Sequence, residues 1–272
     1  MRYRFLPVLL AFVLAFGLLV GCSDDERSAN AGTGDRLARI RAGGEIVAAT
    51  EGTWAPWTYH DANDTLTGFD VEVMRLVAGK LGVKARFVES EWDGIFAGLD
   101  AKRWDIAANG VEVTPERAAK YDFSTPYAYI HTALIVRGDN DTIKTFEDLK
   151  GKRTANSLSS TYMELAESYG AEAVGVDSLG ETLEMVLADR VDATLNADVS
   201  FFDYMRAHPE ANLKIVALTE HGMSVAFPVV KGQDAASFLA AVNQAITELR
   251  TSGELERLSQ QFFGSDITAV NK

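Results

Sequence analysis

Residues 114–117, Thr-Pro-Glu-Arg, form a segment able to bind an anion. The pattern is typical of a helix start, with Thr114 as the N-cap and Pro115 in the first turn. On that local pattern alone, Arg117 is an exposed side chain with no task. A guanidinium, however, offers paired N–H donors to the two oxygens of a carboxylate and keeps its charge. Arg117 is therefore a candidate carboxylate ligand.

A second helix start occurs at residues 159–164, SSTYME. Thr161 and Glu164 have the spacing of a capping box, which by itself explains both residues. The N-terminus of a helix also presents backbone N–H groups and the positive end of its dipole to an anion. Ser160 and Thr161 are therefore candidate ligand contacts.

Aromatic and polar residues accompany these two segments. Trp54 lies in the string EGTWAPW, after the first predicted strand, and Trp92 begins a predicted helix. Each tryptophan fits either a ligand pocket or core packing, and Trp57 is assigned to the core. The remaining candidate ligand residues are acidic, polar or glycine: Glu51, Asn109, Gly110, Glu112, Ser157 and Asp198.

Patterns of catalysis and metal binding are missing from the sequence. The four histidines have no ligand spacing, and the one cysteine, Cys22, lies outside the predicted fold. Neither a Gly-x-Ser-x-Gly motif nor a glycine-rich phosphate loop is present. The net charge of −13 argues against nucleic acid, which requires a basic face. We expect no metal, no cofactor and no catalytic residue.

The N-terminus has the pattern of an export signal. Arg2 and Arg4 precede an apolar stretch, residues 8–20, that is too short to span a bilayer. Residues 19–22, LVGC, resemble a lipobox, which implies cleavage before Cys22 and acylation of that cysteine. An ordinary signal peptide with an incidental cysteine is the alternative. Residues 23–34 are polar and rich in small side chains, which predicts a flexible tether.

Alternating strands and helices are predicted to position the candidate residues. Strands are predicted at residues 46–50, 85–88 and 105–108, and helices at 70–81 and 92–101. This alternation predicts a mainly parallel α/β sheet. Residues 103–109, RWDIAAN, match residues 190–196, RVDATLN, which predicts a second α/β unit of similar build.

Two apolar runs are candidate connections between the two units. Residues 132–137 leave the first unit as an extended run, and residues 216–227 include a candidate return. Residues 235–252 and 255–263 are amphipathic and predicted to be helices that complete the first unit. Two crossing strands would make a hinge, and a ligand would be trapped between the units when they close.

Residues 68–81, GFDVEVMRLVAGKL, resemble the signature of the bacterial extracellular solute-binding proteins of family 3, the amino-acid receptors of ABC importers. The resemblance runs from about residue 44 to residue 268. It implies an α/β periplasmic-binding-protein type II fold with two lobes, two hinge crossings and a ligand cleft between the lobes. The implied bounds are a lipoprotein signal peptide at 1–21, the lipidated cysteine and tether at 22–43, lobe 1 at 44–136, lobe 2 at 137–222, and a return to lobe 1 with C-terminal helices at 223–272.

The resemblance assigns the ligand carboxylate to two of these segments. Family members bind the α-carboxylate of an amino acid with the arginine that matches Arg117. They use the loop that contains Ser160 and Thr161 for the far side of the carboxylate. The usual Gly-Thr or Gly-Ser of that loop is replaced here by residues 159–160, Ser-Ser, so the backbone approach to the ligand is expected to differ.

The position of the ligand ammonium is less regular. Many family members have an aspartate where this chain has Ala197, and Asp198 follows directly. Glu112 stands where the family usually has Ser or Thr. Since a buried ammonium without an acid would be costly, Glu112 is the favoured partner and Asp198 is the alternative.

The resemblance also implies a ligand class and partners. Residues 92–93 and 120–127 look similar to the cystine-binding branch, and Trp54 aligns with an aromatic residue that packs on the ligand side chain. With Asn109, Ser157 and Glu51 available to a polar side chain, cystine or another polar L-amino acid is favoured.

The implied protein is a monomeric lipoprotein, anchored to the membrane outside the cytoplasm, that is not an enzyme. It would deliver its ligand to an ABC permease driven by a separate ATPase, and it would not bind nucleic acid. A dehydratase on the same fold, or a sensor or adhesin that presents ligand, is the alternative.

Overall fold

The structure is a computed structural model that describes residues 34–269. The predicted signal peptide, Cys22 and residues 23–33 of the predicted tether lie outside the described residues. By their contacts, the described residues belong to one unit. Its elements up to residue 130 are α1 (Arg36–Gly43), β1 (Glu45–Thr50), β2 (Thr53–Trp54), β3 (Thr58–His60), β4 (Leu66–Thr67), α2 (Phe69–Leu81), β5 (Lys84–Glu89), α3 (Trp92–Asp100), β6 (Ile106–Ala107), α4 (Pro115–Lys120), β7 (Tyr121–Phe123) and β8 (Ala128–Ile130).

The second half of the described chain adds seven strands and five α-helices. They are β9 (Thr132–Arg137), β10 (Arg153–Asn156), α5 (Thr161–Ser168), β11 (Glu172–Gly175), α6 (Leu179–Leu187), β12 (Thr194–Ala197), α7 (Asp198–Ala207), β13 (Leu213–Leu218), β14 (Met223–Val225), β15 (Pro228–Val230), α8 (Ala236–Thr251) and α9 (Glu254–Phe263). Short 3-10 helices occur at Phe146–Leu149 and Gln233–Ala235.

A parallel sheet with the strand order β5-β1-β6 forms the centre of lobe 1. Helix α2 covers this sheet because its apolar residues recur at intervals of three and four, which places Phe69, Val73 and Val77 on one buried face. The helix ends at Gly82, whose positive φ lets its N–H bond back to the carbonyls of the last turn. Helices α8 and α9 pack against α2 from the C-terminal end of the chain.

The predicted strands and helices of lobe 1 are largely confirmed. Strands β1 and β5 and helices α2 and α3 begin and end within one residue of the predicted bounds. The strand predicted at residues 105–108 is shorter, since only β6, Ile106–Ala107, pairs with β1.

Lobe 2 contains a parallel pair and an antiparallel sheet rather than one mainly parallel sheet. Strands β10 and β11 are parallel, and an isolated parallel bridge between Thr154 and Ala193 connects β10 to the residue before β12. Strand β9, however, lies antiparallel between β12 and β13. The reason is that β9 enters this sheet directly from lobe 1, whereas a parallel strand needs a crossover connection.

Strands β8 and β14 pair antiparallel and form the two-stranded connection between the lobes. Strand β8 lies before the predicted first crossing at residues 132–137, whereas β14 lies within the predicted return at 216–227. Residues 132–136, which the sequence prediction assigned to lobe 1, pair with β12 as part of β9, so we propose a lobe boundary before β9 instead of after residue 136. The other predicted lobe bounds fit the pairing of β15 with β7 and the packing of α8 on α2, and they stay a proposal.

Helix α1 corrects the predicted extent of the tether, which was expected to run to residue 43. Leu37 and Ile40, three residues apart, are buried on one face of α1, and the helix packs against α8. An arginine-rich segment therefore forms a helix because two apolar residues at helical spacing cover the core.

One buried carboxylate ties lobe 1 together. Asp70, in the first turn of α2, is fully buried, and its Oδ2 accepts hydrogen bonds from the backbone N–H of Gly110 (2.5 Å) and from the hydroxyl of Tyr127 (2.7 Å). Gly110 follows β6, and Tyr127 directly precedes the crossing strand β8. Burial raises the pKa of Asp70 to about 7, against the smaller opposing effect of these two hydrogen bonds.

The raised pKa predicts how Asp70 affects folding stability. Because the folded-state pKa of about 7 exceeds the unfolded value of 3.8, the wild-type chain loses stability as the pH rises from about 4 to about 7. An Asp70→Asn chain avoids this loss, which approaches about 1.4 kcal/mol per pH unit in that window. Denaturant unfolding of both chains at several pH values measures the difference. The exposed Asp141→Asn is the matched control, and parallel curves for Asp70→Asn and wild type would contradict the prediction.

Candidate functional site

A cleft of about 500 Å³, including its open mouth, lies between the two lobes. It forms where the carboxyl ends of β1 and β6 face the ends of β10, β11 and β12, which is the usual position of ligand sites in α/β folds. Lobe 1 contributes Glu51, Thr53, Trp54, Trp92, Gly110 and Glu112, and lobe 2 contributes Ser157, Ser160, Thr161, Tyr162, Asp177, Ser178, Leu179 and Asn196.

Most of the residues that the sequence singled out line this cleft. They are Glu51, Trp54, Trp92, Gly110, Glu112, Ser157, Ser160 and Thr161. Asn109, Arg117 and Asp198 do not line it. The structure therefore brings together the tryptophans, two of the acids and the loop of lobe 2, while three polar candidates lie behind or beside the walls.

Glu112 is the most deeply buried acid of the cleft, with 3% of its surface exposed. Its backbone is held by a bridge to Val225 of β14. Oε2 accepts a hydrogen bond from the hydroxyl of Thr161 in lobe 2, whereas Oε1 has no partner among residues 34–269. Burial raises the pKa of Glu112, and the Thr161 hydrogen bond and the charge of Arg117 oppose this effect. The carboxyl group is thus poised to receive a cation.

Arg117 lies beside the cleft with its guanidinium over two aromatic rings. Its Cζ is 5.2 Å from the ring centre of Trp92 and 5.4 Å from that of Phe96, within cation–π range. The guanidinium donates to the backbone carbonyl of Glu112 (3.1 Å) and, across the cleft, to that of Ser159 (3.5 Å). Both acceptors are neutral carbonyls. As predicted, Thr114 caps helix α4, and its hydroxyl accepts from the N–H of Arg117.

The lobe 2 loop differs from the predicted capping box. Ser160, not Thr161, is the N-cap of α5, and its hydroxyl accepts from the N–H of Met163 (3.1 Å). The hydroxyl of Thr161 is therefore available to Glu112. Ser159 has φ 55°, in the left-handed region where glycine is favoured, so it adopts the backbone conformation that a glycine would adopt more easily.

Asn109 positions Glu51 from behind the wall. The Asn109 side chain is fully buried, accepts from the backbone N–H of Glu51 (2.7 Å) and donates to its carboxylate. Burial raises the pKa of Glu51 to about 7, against the Asn109 hydrogen bond and with a smaller contribution from the charge of Asp93. Glu51 therefore presents to the cleft a carboxyl group that titrates near neutral pH.

The tryptophans divide between wall and core as predicted. Trp54 stacks on the fully buried Trp57 at 5.5 Å between ring centres, and Trp57 donates to the hydroxyl of Ser200 in lobe 2 (3.0 Å). The indole N–H groups of Trp54 and Trp92 are buried and have no partner within the described part of the chain. Gly110 has φ 58°, and a Cβ there would lie 2.6 Å from the Trp54 ring, so only glycine fits against this wall.

Asp198 is occupied by backbone groups. Its Oδ1 accepts from the N–H of Val199 (2.9 Å) and, more weakly, from that of His131 (3.4 Å) at the junction of β8 and β9. Burial raises its pKa, and both hydrogen bonds oppose this effect. The side chain therefore supports the start of α7 and the chain just after the crossing strand.

The cleft also contains residues that the sequence did not single out as ligand contacts, namely Thr53, Tyr162, Asp177, Ser178, Leu179 and Asn196. Asn196 could have been found, because the internal repeat equates it with Asn109 at the corresponding strand end. Ser178 is the N-cap of α6 and accepts from the N–H of Glu181, which is the same helix-start signal that pointed to Ser160. Thr53 and Leu179 carry no comparable signal.

Three further facts bear on the class of protein. Among residues 34–269, no group of three or more His, Cys, Asp or Glu side chains could hold a metal ion. Every helix in the same described range is too short or too polar to cross a membrane. Residues 46–265 match the family model of the bacterial extracellular solute-binding proteins, family 3. The chain belongs to this family.

Named relatives agree with this membership. A probable amino-acid ABC transporter-binding protein of Haemophilus influenzae is 41% identical over 235 residues, which cover 86% of this chain and 91% of the relative. The L-cystine solute receptor of Neisseria gonorrhoeae, in its unliganded open conformation, is 43% identical, with coverage of 86% and 99% and a TM-score of 0.59. An ancestral arginine-binding protein bound to arginine is 32% identical, with coverage of 81% and 99% and a TM-score of 0.76.

The structure is thus more similar to the arginine-bound protein than to the open receptor, although the receptor is nearer in sequence. Three hydrogen bonds between the lobes fit this ranking. They join Thr161 to Glu112, Arg117 to the carbonyl of Ser159, and Trp57 to Ser200. The two lobes therefore meet across the cleft, as expected of a closed conformation.

Proposed function

We propose that this family member binds an L-amino acid in the cleft and delivers it to the permease of an ABC transporter, whose energy comes from a separate ATPase. The observation that carries the proposal is the pairing of opposite charges on one short segment. Arg117 and Glu112 lie five residues apart, at the edge and in the wall of a cleft that two lobes enclose. A zwitterion presents the complementary pair of charges.

Arg117 is the proposed carboxylate ligand. Among residues 34–269, its guanidinium donates only to neutral carbonyls, and a carboxylate is a stronger acceptor for a guanidinium than a carbonyl is. The rings of Trp92 and Phe96 hold the guanidinium in place, which lowers the entropy lost on binding. Ser160 and Thr161 enter the same contact from lobe 2 on closure.

Glu112 is the proposed ammonium ligand, in preference to Asp198. Glu112 lines the cleft with one carboxyl oxygen lacking a partner among the described residues, and an ammonium would satisfy it. Asp198 already accepts two backbone N–H groups and does not line the cleft. The lobe 2 aspartate expected of the family is thus replaced, in this proposal, by a glutamate from lobe 1.

The ligand is proposed to be cystine or another polar amino acid. The relative from Neisseria gonorrhoeae at 43% identity is an L-cystine receptor. The cleft wall suits a polar side chain, because Glu51, Ser157 and the buried indole N–H groups of Trp54 and Trp92 all offer hydrogen bonds. We propose that the ligand is bound without turnover by a monomer, and that nucleic acid is not a partner.

Titration of the chain from residue 23 with the standard L-amino acids and cystine tests this function. Saturable heat with cystine or another polar amino acid is expected. Arg117→Ala should weaken that binding about 30-fold to several-thousand-fold, because removing one partner of a buried charge pair costs roughly 2–5 kcal/mol. Arg117→Lys keeps the charge without the planar fork, so its affinity should lie between those of wild type and Arg117→Ala. Equal binding of the ligand by wild type and Arg117→Ala, or turnover of prephenate or arogenate, would contradict the proposal.

Glu112 and Asp198 can be separated by the protons that binding releases. The pKa of Glu112 is raised in the free protein, and an ammonium beside it would lower this pKa, so binding should release protons and strengthen as the pH rises through the raised value. Titrations in buffers of different ionisation enthalpy measure this release. Glu112→Gln should abolish it and weaken binding about tenfold or more. Asp198→Asn is the matched control, and the opposite pattern would assign the ammonium to Asp198.

We also propose that the mature chain is anchored at Cys22 by lipid on the outer side of the cytoplasmic membrane or at the cell surface. The support is the LVGC string after an apolar stretch, together with membership of an extracellular family. Acyl chains at Cys22 would hold the wild-type chain on the membrane, whereas Cys22→Ser has no acylation site. Wild type should therefore sediment with membranes and Cys22→Ser should not. Fractionation of cells that express each chain measures this, and equal distributions would reject the anchor.

A further inference from the structure

A second cavity opens at the other end of the lobe 1 sheet. It measures about 780 Å³ with its open mouth, and we call it the basic recess. Its floor is apolar, with Val47, Leu99, Trp104 and Val230. Its charged lining comes from α1, from the turn after α3 and from the segment after β15: Arg36, Arg39, Lys102, Arg103, Asp105 and Asp234.

The basic recess lies apart from the amino-acid cleft. Val47 belongs to the amino-terminal half of β1, and Asp105 directly precedes β6, so the recess faces the amino ends of both parallel strands. The cleft lies beyond their carboxyl ends, at Glu51 and Gly110. The proposed ligand of one cavity therefore does not occupy the other.

Both acids of the recess are already paired. Arg36 is buried, with 6% of its surface exposed, and its Nε and Nη2 each donate to Asp234 at 3.1 Å. Arg39 donates to Asp105, which also accepts from the backbone N–H of Val47 (2.9 Å). These two ion pairs hold the walls of the recess in place, and the charges within each pair balance.

Lys102 and Arg103 add two positive charges that these pairs do not balance. Both side chains are exposed, and neither makes an ion pair or a hydrogen bond with any residue between 34 and 269. The whole chain has a net charge of −13, so a recess with an excess of two cations stands out from the surface around it. The recess also has an unused hydrogen-bond donor, because Nη1 of Arg36 makes no hydrogen bond to a described residue.

The backbone of this turn points to the same conclusion. Lys102 has φ 54°, a left-handed conformation that residues with a Cβ rarely adopt. The internal repeat places Asp189 in the corresponding turn of lobe 2, with φ 55° and an ion pair to Arg137. The same strained position thus carries a paired aspartate in lobe 2 and an unpaired lysine at the recess. Strain kept at a charged residue is a reason to look for a ligand.

We propose that the basic recess binds a phosphate group. The excess of two positive charges matches a phosphate dianion, and guanidinium donors suit its oxygens. The phosphate group can belong to a free phosphate or to the headgroup of an anionic lipid. The second source has its own support, because basic side chains near a membrane surface attract anionic lipids.

Two probes distinguish the sources, used at low ionic strength with the chain from residue 23. Inorganic phosphate is titrated by calorimetry. Cosedimentation is measured with vesicles of phosphatidylcholine alone and with equimolar phosphatidylcholine and phosphatidylglycerol. Lys102→Glu with Arg103→Glu should weaken binding about tenfold or more. The matched control is Lys152→Glu with Arg153→Glu, another adjacent Lys-Arg pair without side-chain partners among the described residues, located in lobe 2.

Lys102→Gly is a second variant, chosen so that a loss of binding cannot be attributed to misfolding. It removes the charge and relieves the left-handed strain, so it should weaken binding while leaving thermal stability equal or higher. Saturable phosphate heat that depends on residues 102 and 103 supports the site with free phosphate as the source. Binding to the anionic vesicles alone, with the same dependence, supports it with lipid as the source. No binding to either probe, or equal losses in the lobe 2 control, overturns the proposal.

Discussion

A buried carboxyl group with one unsatisfied oxygen is the constraint on which the cleft depends. Glu112 is buried away from water, and its carboxyl group accepts one hydrogen bond from a described residue, that of the Thr161 hydroxyl. Leaving a charge in such a place is costly unless it is paired, and the raised pKa of Glu112 expresses that cost. A ligand cation placed beside Glu112 would remove this cost of burying the carboxylate. The same desolvation that weakens the empty closed state therefore increases the gain from filling it.

The fold supplies the means to hold this group in place. Glu112 lies on the segment between β6 and α4, and three independent elements restrain that segment. Asp70 binds the N–H of Gly110 from the first turn of α2, β14 bridges the backbone of Glu112 itself, and Thr114 caps the helix that carries Arg117. Because Asp70 also binds Tyr127 at the start of a crossing strand, the cleft wall and the hinge share one buried contact. Asp70 therefore restrains both the cleft wall and the start of the crossing strand without lining the cleft itself.

Local patterns predicted the parts of this arrangement that depend on short-range spacing. The resemblance carried by residues 68–81 predicted the fold and pointed to Arg117. Local spacing predicted the helices of lobe 1, since caps and helical periodicity are set within a few residues. Long-range choices were harder. Residues 132–137 look like any apolar strand, and only the pairing of β9 with β12 shows to which lobe they belong. The start of α5 was misplaced by one residue because Ser160 and Thr161 are both good N-caps, and tertiary contact with Glu112 decides between them.

The cleft and the basic recess are opposite in charge, and strand β1 of lobe 1 runs from one to the other. From Val47 to Glu51 is about 13 Å along an extended chain at about 3.3 Å per residue. The excess cations Lys102 and Arg103 therefore lie at the opposite end of this strand from the carboxyl groups of the cleft. Asp105 ties the recess to β1, because it accepts a hydrogen bond from the backbone N–H of Val47. Acidic chemistry at one end of the sheet and basic chemistry at the other can thus coexist in a small lobe, because the sheet separates the two ends.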